Sequence, residues 1–197
     1  MPRKPKRNTK GKIISAAWRL FYEQGYEDTT MEDILDASGV SKGTFYHYFE
    51  GKDALLGTLS VLFDEKYEEL IPTIGEEENA VEVLARLNRE LFSMIESSVS
   101  LDLLARLLST QLTTRGEKHL MDRNRVYFRL LRDVIVRGQS RGELRSDLSV
   151  NEIVKAYALM ERALMYDWCL CSGEYSLSRY GAEMMLMFLT NYSAKSE

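Results

Sequence analysis

Large apolar residues recur along this chain at spacings of three and four, and no segment alternates apolar and polar residues for long. The three-and-four spacing is typical of an amphipathic helix, whereas a half-buried strand alternates at every second residue. We therefore predict an all-α fold. Of the three prolines, two lie at the extreme N-terminus and the third, Pro72, interrupts a long helical pattern.

Two helices are predicted first, and each is closed by a glycine. The first spans about 9–24 and ends before Gly25, a suitable residue for a helix C-terminus. The second begins with Thr29 as its N-cap, and Glu32 three residues later completes a capping box. Gly39 ends this second helix. The two elements are therefore predicted to be joined by a short turn.

A third short helix, capped by Ser41, is predicted to run to about Phe49. At about 100° per residue, Phe45 and Phe49 lie together as core anchors, and the opposite side carries small polar groups. Two short helices joined by a tight glycine-containing turn, after a longer helix, describe a helix-turn-helix. The outward side and its flanks hold Lys42, Gly43, Thr44, Tyr46, His47 and Tyr48.

Those six residues have the chemistry of a DNA recognition helix. Gly43 allows close approach, Thr44 and His47 can meet base edges, and the flanking residues can reach phosphates. A solvated helix face with tyrosines packed sideways stays open as an alternative. A helical adaptor whose corner binds protein also stays open.

Longer helical stripes after Gly51 predict a second, larger helical domain. One helix is predicted to continue to Pro72, and the acidic run 76–78 suits the start of the next because acids favour the positive end of a helix dipole. We place the domains at 1–52 and 53–197. Later helices are predicted over about 117–141, 150–172 and 177–192.

The net charge of −4 conceals an asymmetry between the N-terminus and the rest of the chain. Residues 1–22 hold seven basic residues and no acid, whereas the other 175 residues hold 19 basic and 30 acidic ones. A basic arm of this kind is typical of contact with a phosphate backbone. A solvated leader explains the same charges, and both interpretations stay open.

Enzyme function is disfavoured by what the sequence lacks. It has no G-x-G-x-x-G, P-loop, H-E-x-x-H or G-x-S-x-G, and its two histidines leave little for acid–base chemistry. We expect no catalytic residues, no cofactor and no metal site. Cys169 and Cys171 are expected to be half-buried thiols, since a redox sensor would need a lowered thiol pKa.

Membrane insertion is not expected either. The chain has no run of about 18 apolar residues and no apolar core of a secretory signal near its N-terminus. We expect a cytoplasmic protein with no membrane partner.

The third helix and its surroundings carry a family resemblance. The run Gly-Val-Ser-Lys-Gly-Thr-x-Tyr-x-Tyr-Phe-x-x-Lys from Gly39 to Lys52 resembles the signature of the TetR family of regulators, and the likeness extends upstream through Ala16 and Tyr26. It covers about the first quarter of the chain. The remainder is similar in general plan, together with the Gly-Gln-x-x-Gly-Glu-Leu-Arg-x-Asp run from Gly138.

The resemblance implies an all-α homodimer that binds a palindromic double-stranded operator and is released by a small-molecule effector. Most members of the family repress, and repression is the expectation here. One departure is Glu32, where some members place a base-reading arginine. The resemblance assigns phosphate contacts to Thr30, Tyr46, Tyr48 and Lys52, and base contacts to Lys42, Gly43, Thr44 and His47.

The second domain is expected to dimerise and to bind the effector. The last helix is apolar on more than one side, so a partner subunit is the economical explanation and a single-chain core the alternative. Candidate dimer residues are Tyr180, Met184 and Phe188. Effector candidates on helices that line the family's pocket are Phe92, Tyr127, Tyr166 and Trp168, each of which is alternatively a core residue.

Polar residues also fall within that apolar helical sequence. Glu161, Arg162 and Asp167 can orient a polar effector, pair with one another or lie exposed. The sequence does not identify the effector molecule or the DNA sequence of the operator.

Overall fold

The computed structural model describes residues 9–113 and 118–194, and within them all regular secondary structure is helical apart from one isolated bridge between Leu144 and Ser193. The backbone divides into two units, Met1–Leu59 and Ser60–Glu197. The first eight residues, which hold four of the seven charges of the predicted basic arm, lie outside the described residues.

From Thr9 onwards, the first unit has four helices: α1 (Thr9–Gln24), α2 (Met31–Ser38), α3 (Lys42–Tyr48) and α4 (Lys52–Leu56). Phe21, Ile34 and Phe45, one from each of the first three helices, belong to its core, and each is at most 1% exposed. Burial of these large side chains supplies most of the driving force for packing such short helices. Trp18 donates its indole N–H to the buried Thr58 hydroxyl at 2.8 Å.

The cap of α2 lies one residue beyond the predicted one. Thr30 accepts from the Asp33 N–H at 3.1 Å, and the Asp33 carboxylate accepts from the Thr30 N–H at 2.8 Å, which forms the capping box. The prediction of Thr29 and Glu32 was wrong because the Thr29 side chain is buried and donates to the Gly25 carbonyl at 2.7 Å.

The turn between α2 and α3 has the two caps that the sequence predicts. Gly39 has φ +64°, a left-handed conformation that favours glycine, and its N–H donates to the carbonyls of Leu35 and Asp36. Ser41 caps α3 by accepting from the Thr44 N–H at 3.2 Å. Both predicted caps are confirmed.

In the part of the chain that the structure describes, the helices of the second unit are α5 (Leu59–Leu70), α6 (Ala80–Ser98), α7 (Leu101–Thr113), α8 (Val126–Ser140), α9 (Val150–Leu170) and α10 (Ala182–Thr190). Short 3-10 segments lie at Ile71–Thr73 and His119–Met121, and a π-helical turn, Leu177–Gly181, leads into α10. None of the helices within 9–113 and 118–194 is long and apolar enough to span a membrane.

Several predicted helices are shorter than the periodicity indicated. The helix expected from Gly51 to Pro72 is broken at Gly57 into α4 and α5. The acidic run 76–78 precedes α6 instead of starting it, because Asn79 is the N-cap and Glu78 accepts from the Gly75 N–H. Apolar spacing continues across these breaks, so periodicity alone does not locate them.

The helix predicted over 117–141 begins only at α8. Arg125 adopts an extended conformation immediately before it, held by hydrogen bonds from its guanidinium to Asp64 at 2.8 and 3.1 Å. This pair fixes where α8 starts. The last predicted helix, 177–192, begins as the π-helical turn, while the one predicted over 150–172 ends at Leu170.

Helix α6 forms the centre of the second unit. Its inward residues Leu84, Leu87 and Phe92 are fully buried, and the Tyr157 hydroxyl of α9 donates to the Leu84 carbonyl at 3.0 Å. Gly181 lies so close to Phe92 that a β-carbon there would be 2.7 Å from the ring. These contacts hold α9 and α10 against α6.

Candidate functional site

Helix α3 presents two different sides. Phe45 is fully buried and Phe49 is 6% exposed, which confirms the predicted inward side. Thr44 is half-buried, and its hydroxyl lies 2.8 Å from that of the cap residue Ser41. The other members of the predicted recognition face are exposed, namely Lys42, Gly43, Tyr46, His47 and Tyr48.

The exposed aromatic residues of α3 are braced by their neighbours. The Tyr46 ring meets the buried Phe45 ring edge-on at 5.6 Å between centroids, and the Tyr48 ring meets His47 at 4.8 Å. Both tyrosines keep more than two-fifths of their surface exposed. Such ordered, half-exposed rings suit contacts on either side of a groove at little cost in side-chain entropy.

Lys52, a predicted phosphate contact, has an internal role in this structure. Its ammonium donates to the carbonyls of Tyr26 at 2.8 Å and Thr29 at 2.9 Å, and it lies 4.3 Å from the centre of the Tyr26 ring. The Tyr26 hydroxyl in turn donates to the Asp53 carboxylate. Lys52 therefore ties the turn between α1 and α2 to the start of α4.

Thr30, another predicted phosphate contact, is exposed and takes part in the α2 cap. Its hydroxyl donates to Asp33 at 2.7 Å, and hydrogen bonds from the Thr30 N–H and hydroxyl lower the pKa of that carboxyl. Glu32 is exposed beside the cap in the first turn of α2. The phosphate roles of Thr30 and Lys52 stay predictions.

Part of the predicted basic arm is described, because α1 includes its last three charges. Lys10, Lys12 and Arg19 are all exposed on α1. The Lys10 ammonium lies 5.8 Å from the centre of the Phe49 ring, at the end of α3. Positive charge and the polar face of α3 therefore belong to one unit, which suits a surface for a polyanion.

The second unit holds a cleft of about 670 Å³ between α7, the 3-10 turn His119–Met121 and α9. Tyr166, one of the four effector candidates, lines it. Five of the twelve lining residues are leucines, and the wall also carries Gln111, Lys118, Arg162 and Asp167. The lining residues are Leu108, Gln111, Leu112, Lys118, Leu120, Met121, Leu159, Arg162, Ala163, Tyr166, Asp167 and Leu170.

The other three effector candidates do not line this cleft. Phe92 is fully buried in the core against Gly181. The Trp168 indole donates to the Tyr175 carbonyl at 2.8 Å and holds the chain that leads to α10. Tyr127 lines a small cavity of about 20 Å³ that shares Leu120 and Arg162 with the cleft. Aromatic residues at helical spacing cannot be sorted from sequence into these three environments.

A basic groove of about 250 Å³ adjoins the cleft, and the two share Met121 and Arg162. Sequence reasoning missed it because its charges come from α9, from α8 and from the segment before α8. Four basic side chains line this groove beside a single carboxylate, that of Glu152. The four are Arg123, Arg132, Lys155 and Arg162.

Helix α10 and part of α9 present an apolar surface. Tyr180 is 44% exposed, Met184 and Phe188 are half-buried, and Met187 is 63% exposed. Leu170 of α9 is 69% exposed. Contiguous exposed apolar residues of this size are typical of an interface with another chain.

The two cysteines do not have the environment of reactive thiols. Burial raises the pKa of Cys169 to about 11. Burial, together with Asp167 and Glu174, raises the pKa of Cys171. The lowered pKa of a redox sensor is absent from both. In the described part of the chain, no group of three or more His, Cys, Asp or Glu is placed to hold a metal ion.

Helices α1 to α3, with this turn and this outward polar face, define a helix-turn-helix DNA-binding protein. Residues 13–59 match the family model described as bacterial regulatory proteins, tetR family. Residues 13–59 therefore form a TetR-type DNA-binding domain, and the chain is a TetR-type DNA-binding transcriptional regulator.

Relatives and solved structures agree with this assignment. The chain is 29% identical over 145 residues to the HTH-type transcriptional repressor KstR2 of Rhodococcus jostii (strain RHA1), covering 70% of this chain and 69% of that protein. It is 28% identical over 151 residues to the fatty acid metabolism regulator protein of Bacillus subtilis (strain 168), covering 75% and 76%. These relatives are regulators, not enzymes.

The fold also matches the crystal structure of the transcriptional regulator FadR from Bacillus subtilis in complex with stearoyl-CoA. The TM-score is 0.69 at 23% identity, and the match covers 91% of this chain and 97% of that one. At this identity the likeness establishes the fold.

Proposed function

We propose that this regulator is a homodimeric repressor, and that a long-chain acyl-CoA thioester releases it from a palindromic operator. The observation that carries the effector class is the cleft of about 670 Å³, which runs into the basic groove at Arg162. One end of this combined site suits a hydrocarbon, and the other suits phosphates.

The cleft fits an acyl chain in both size and chemistry. Its volume lies within the range of about 300–1,000 Å³ that is typical of small-molecule sites. Leucine side chains on α7 and α9 can remove a hydrocarbon chain from water, which stabilises binding by about 0.8 kcal/mol per buried methylene. A flat polar effector would leave those walls without a partner.

The groove supplies the charges that coenzyme A needs. Arg132 and Lys155 face it from two different helices, and Arg123 and Arg162 add two further cations. Arginine forms strong charge-assisted hydrogen bonds to phosphate oxygens. FadR from Bacillus subtilis, whose fold this chain shares, was crystallised with stearoyl-CoA, which supports the same ligand class here.

Repression and dimerisation rest on different observations. The relative from Rhodococcus jostii is a repressor, which favours the same output for this chain. The apolar surface formed by Met184 and Phe188 of α10 and by Tyr180 of the π-helical turn before it suits a partner subunit. Two α3 helices related by a twofold axis would read two halves of a palindrome.

The test is release of labelled upstream DNA, followed by fluorescence anisotropy as ligand is added. Stearoyl-CoA and lauroyl-CoA should displace the DNA, whereas free coenzyme A and free fatty acid at the same concentrations should not. Arg132→Ala and Lys155→Ala should weaken the response to acyl-CoA, while Arg129→Ala, an exposed arginine of α8 outside the groove, should leave it unchanged.

A cleft variant completes the test. Tyr166→Ala should change the acyl-CoA concentration needed for release while the protein stays dimeric. If this variant instead becomes monomeric, the cleft is part of the subunit interface. If no thioester releases DNA that the protein does bind, the effector class is wrong.

A further inference from the structure

A small internal cavity of about 20 Å³ lies in the second unit, between α5, α6, α8 and α9. Its polar lining comes from Tyr67, Tyr127, Glu161 and the two arginines Arg125 and Arg162. A cavity of this kind needs at least about 10–15 Å³ to hold one water-sized group, so there is room for a single polar group.

Glu161 is the centre of this polar region and is only 3% exposed. Its carboxyl oxygen Oε1 accepts from the Tyr67 hydroxyl at 3.3 Å and from the Asn88 side-chain N–H at 3.2 Å. Burial raises the pKa of Glu161, although the hydrogen bonds from Asn88 and Tyr67 oppose the shift. We call Tyr67, Asn88, Tyr127 and Glu161 the inner cluster.

Two side-chain atoms of the inner cluster, the Tyr127 hydroxyl and Asn88 Oδ1, are buried. Neither has a hydrogen-bond partner among the described residues. In native proteins nearly all buried polar atoms form hydrogen bonds, so each buried polar atom that forms none needs an explanation. Tyr127 can donate or accept, whereas Asn88 Oδ1 only accepts. A group that both accepts and donates would complement the cluster, and a hydroxyl does both.

The inner cavity adjoins the acyl cleft. Leu120 and Arg162 line both the cleft and the cavity. These two side chains therefore separate the hydrocarbon wall of the cleft from the polar interior of the cavity. A chain lying in the cleft can therefore bring a substituent to the inner cluster by displacing the Leu120 side chain. An unsubstituted hydrocarbon end would meet buried polar atoms without satisfying them, which disfavours it.

We propose that the inner cluster binds a hydroxyl group on the acyl chain, so that the preferred effectors are hydroxyacyl thioesters and not plain saturated ones. The hydroxyl accepts from Tyr127 and donates to Glu161, both of which line the cavity. This inference rests on the proposed acyl-CoA function and assigns a specificity to the inner end of the same site.

The experiment compares plain and ω-hydroxylated acyl-CoA thioesters of matched length, from octanoyl to hexadecanoyl, by calorimetric titration of the full chain. At the chain length that reaches the inner cluster, the ω-hydroxyacyl-CoA should bind about tenfold more tightly, as expected for one well-placed hydrogen bond. Tyr127→Phe keeps the buried ring and removes only the hydroxyl, and it should bring that ratio close to one.

Tyr157→Phe is the matched control. It also removes a buried tyrosine hydroxyl, but that hydroxyl donates to the Leu84 carbonyl and does not line the cavity. Tyr157→Phe should lower the stability of the protein but leave its preference for the hydroxylated thioester unchanged. Glu161→Gln preserves shape and one acceptor, and it should retain part of the preference.

Each result is decisive. Equal binding of plain and hydroxylated thioesters at every length would overturn the inference while the proposed acyl-CoA function stands. A hydroxyl preference that persists in Tyr127→Phe would place the hydroxyl elsewhere and would also overturn it. Failure of every thioester to bind would overturn both.

Discussion

The Lys52 ammonium lies 2.8 Å from the Tyr26 carbonyl oxygen and 4.3 Å from the centre of the ring of the same residue. It also reaches the carbonyl of Thr29, immediately before the cap of α2. The start of α4 therefore sets the position of the turn that leads into the helix-turn-helix. The side chain is half-buried, so the interaction is shielded in part from solvent.

Lys52→Met should lower the free energy of unfolding by about 1.5–3 kcal/mol, the usual contribution of hydrogen bonds from a charged group. Urea denaturation of the full chain measures this change. DNA affinity should fall only as far as the fold is disturbed, and the slope of log K against log salt should stay the same. Lys42→Ala, an exposed lysine of α3, should leave the unfolding free energy almost unchanged.

The opposite pattern would identify Lys52 as a phosphate contact. In that case the unfolding curve of Lys52→Met would match that of the original protein, and the salt slope would fall by about one.

Sequence preference should depend on the outward side of α3. Lys42→Ala and His47→Ala should change the consensus selected from random DNA, because these exposed side chains can reach base edges and each such contact contributes about 1–3 kcal/mol of discrimination. Tyr46→Phe should weaken all sites by a similar factor, since a phosphate contact carries no sequence information. A consensus that shifts in Tyr46→Phe but not in Lys42→Ala and His47→Ala would contradict this division.

The helix-turn-helix was predictable because its determinants are local. Gly39 needs a left-handed backbone, Ser41 caps the next residues, and Phe45 and Phe49 share a side through helical spacing alone. The α2 cap was misplaced by one residue because Thr29 and Thr30 have the same chemistry. Only burial of the first threonine in the core distinguishes them.

The ligand site was harder to predict because it is assembled from distant segments. Arg123 and Lys155 lie far apart in sequence, so no motif joins the charges of the basic groove. Phe92 and Tyr166 have equivalent helical patterns, yet one is in the core and the other lines the cleft. Which side of a helix faces a cavity depends on packing between helices, and a periodic pattern does not encode it.

Dimerisation should depend on the exposed apolar face of α10. Met187→Glu introduces a charge at a side chain that is 63% exposed, so the isolated subunit should fold while the interface is lost. Analytical ultracentrifugation should show monomers, and operator binding should weaken strongly. Val136→Glu makes the same type of change on α8, where the valine is 51% exposed, and should leave a dimer. A dimeric Met187→Glu variant would place the interface elsewhere.

The buried carboxyl of Glu161 should make stability depend on pH. Burial raises its folded-state pKa above the ordinary 4.5, so the folded protein binds this proton more tightly than the unfolded chain. The resulting stability is fully present below pH 4.5 and is lost as pH rises through the folded pKa. Relative to Glu161→Gln, the original protein should lose unfolding free energy over that range. A constant difference at every pH would show that the carboxyl titrates normally.

Gly181 should be intolerant of a side chain because of Phe92. An added β-carbon would lie 2.7 Å from the Phe92 ring, and that ring is fully buried in α6 and cannot move aside. Gly181→Ala should therefore cost about 1–3 kcal/mol in urea unfolding, as overpacking of a core usually does. It should also weaken the dimer, since this contact sets the position of the π-helical turn that leads into α10.

In a Phe92→Leu background the smaller side chain leaves room, so Gly181→Ala should cost clearly less unfolding free energy there. An equal cost in both backgrounds would mean that the strain arises in the π-helical backbone and not at the ring.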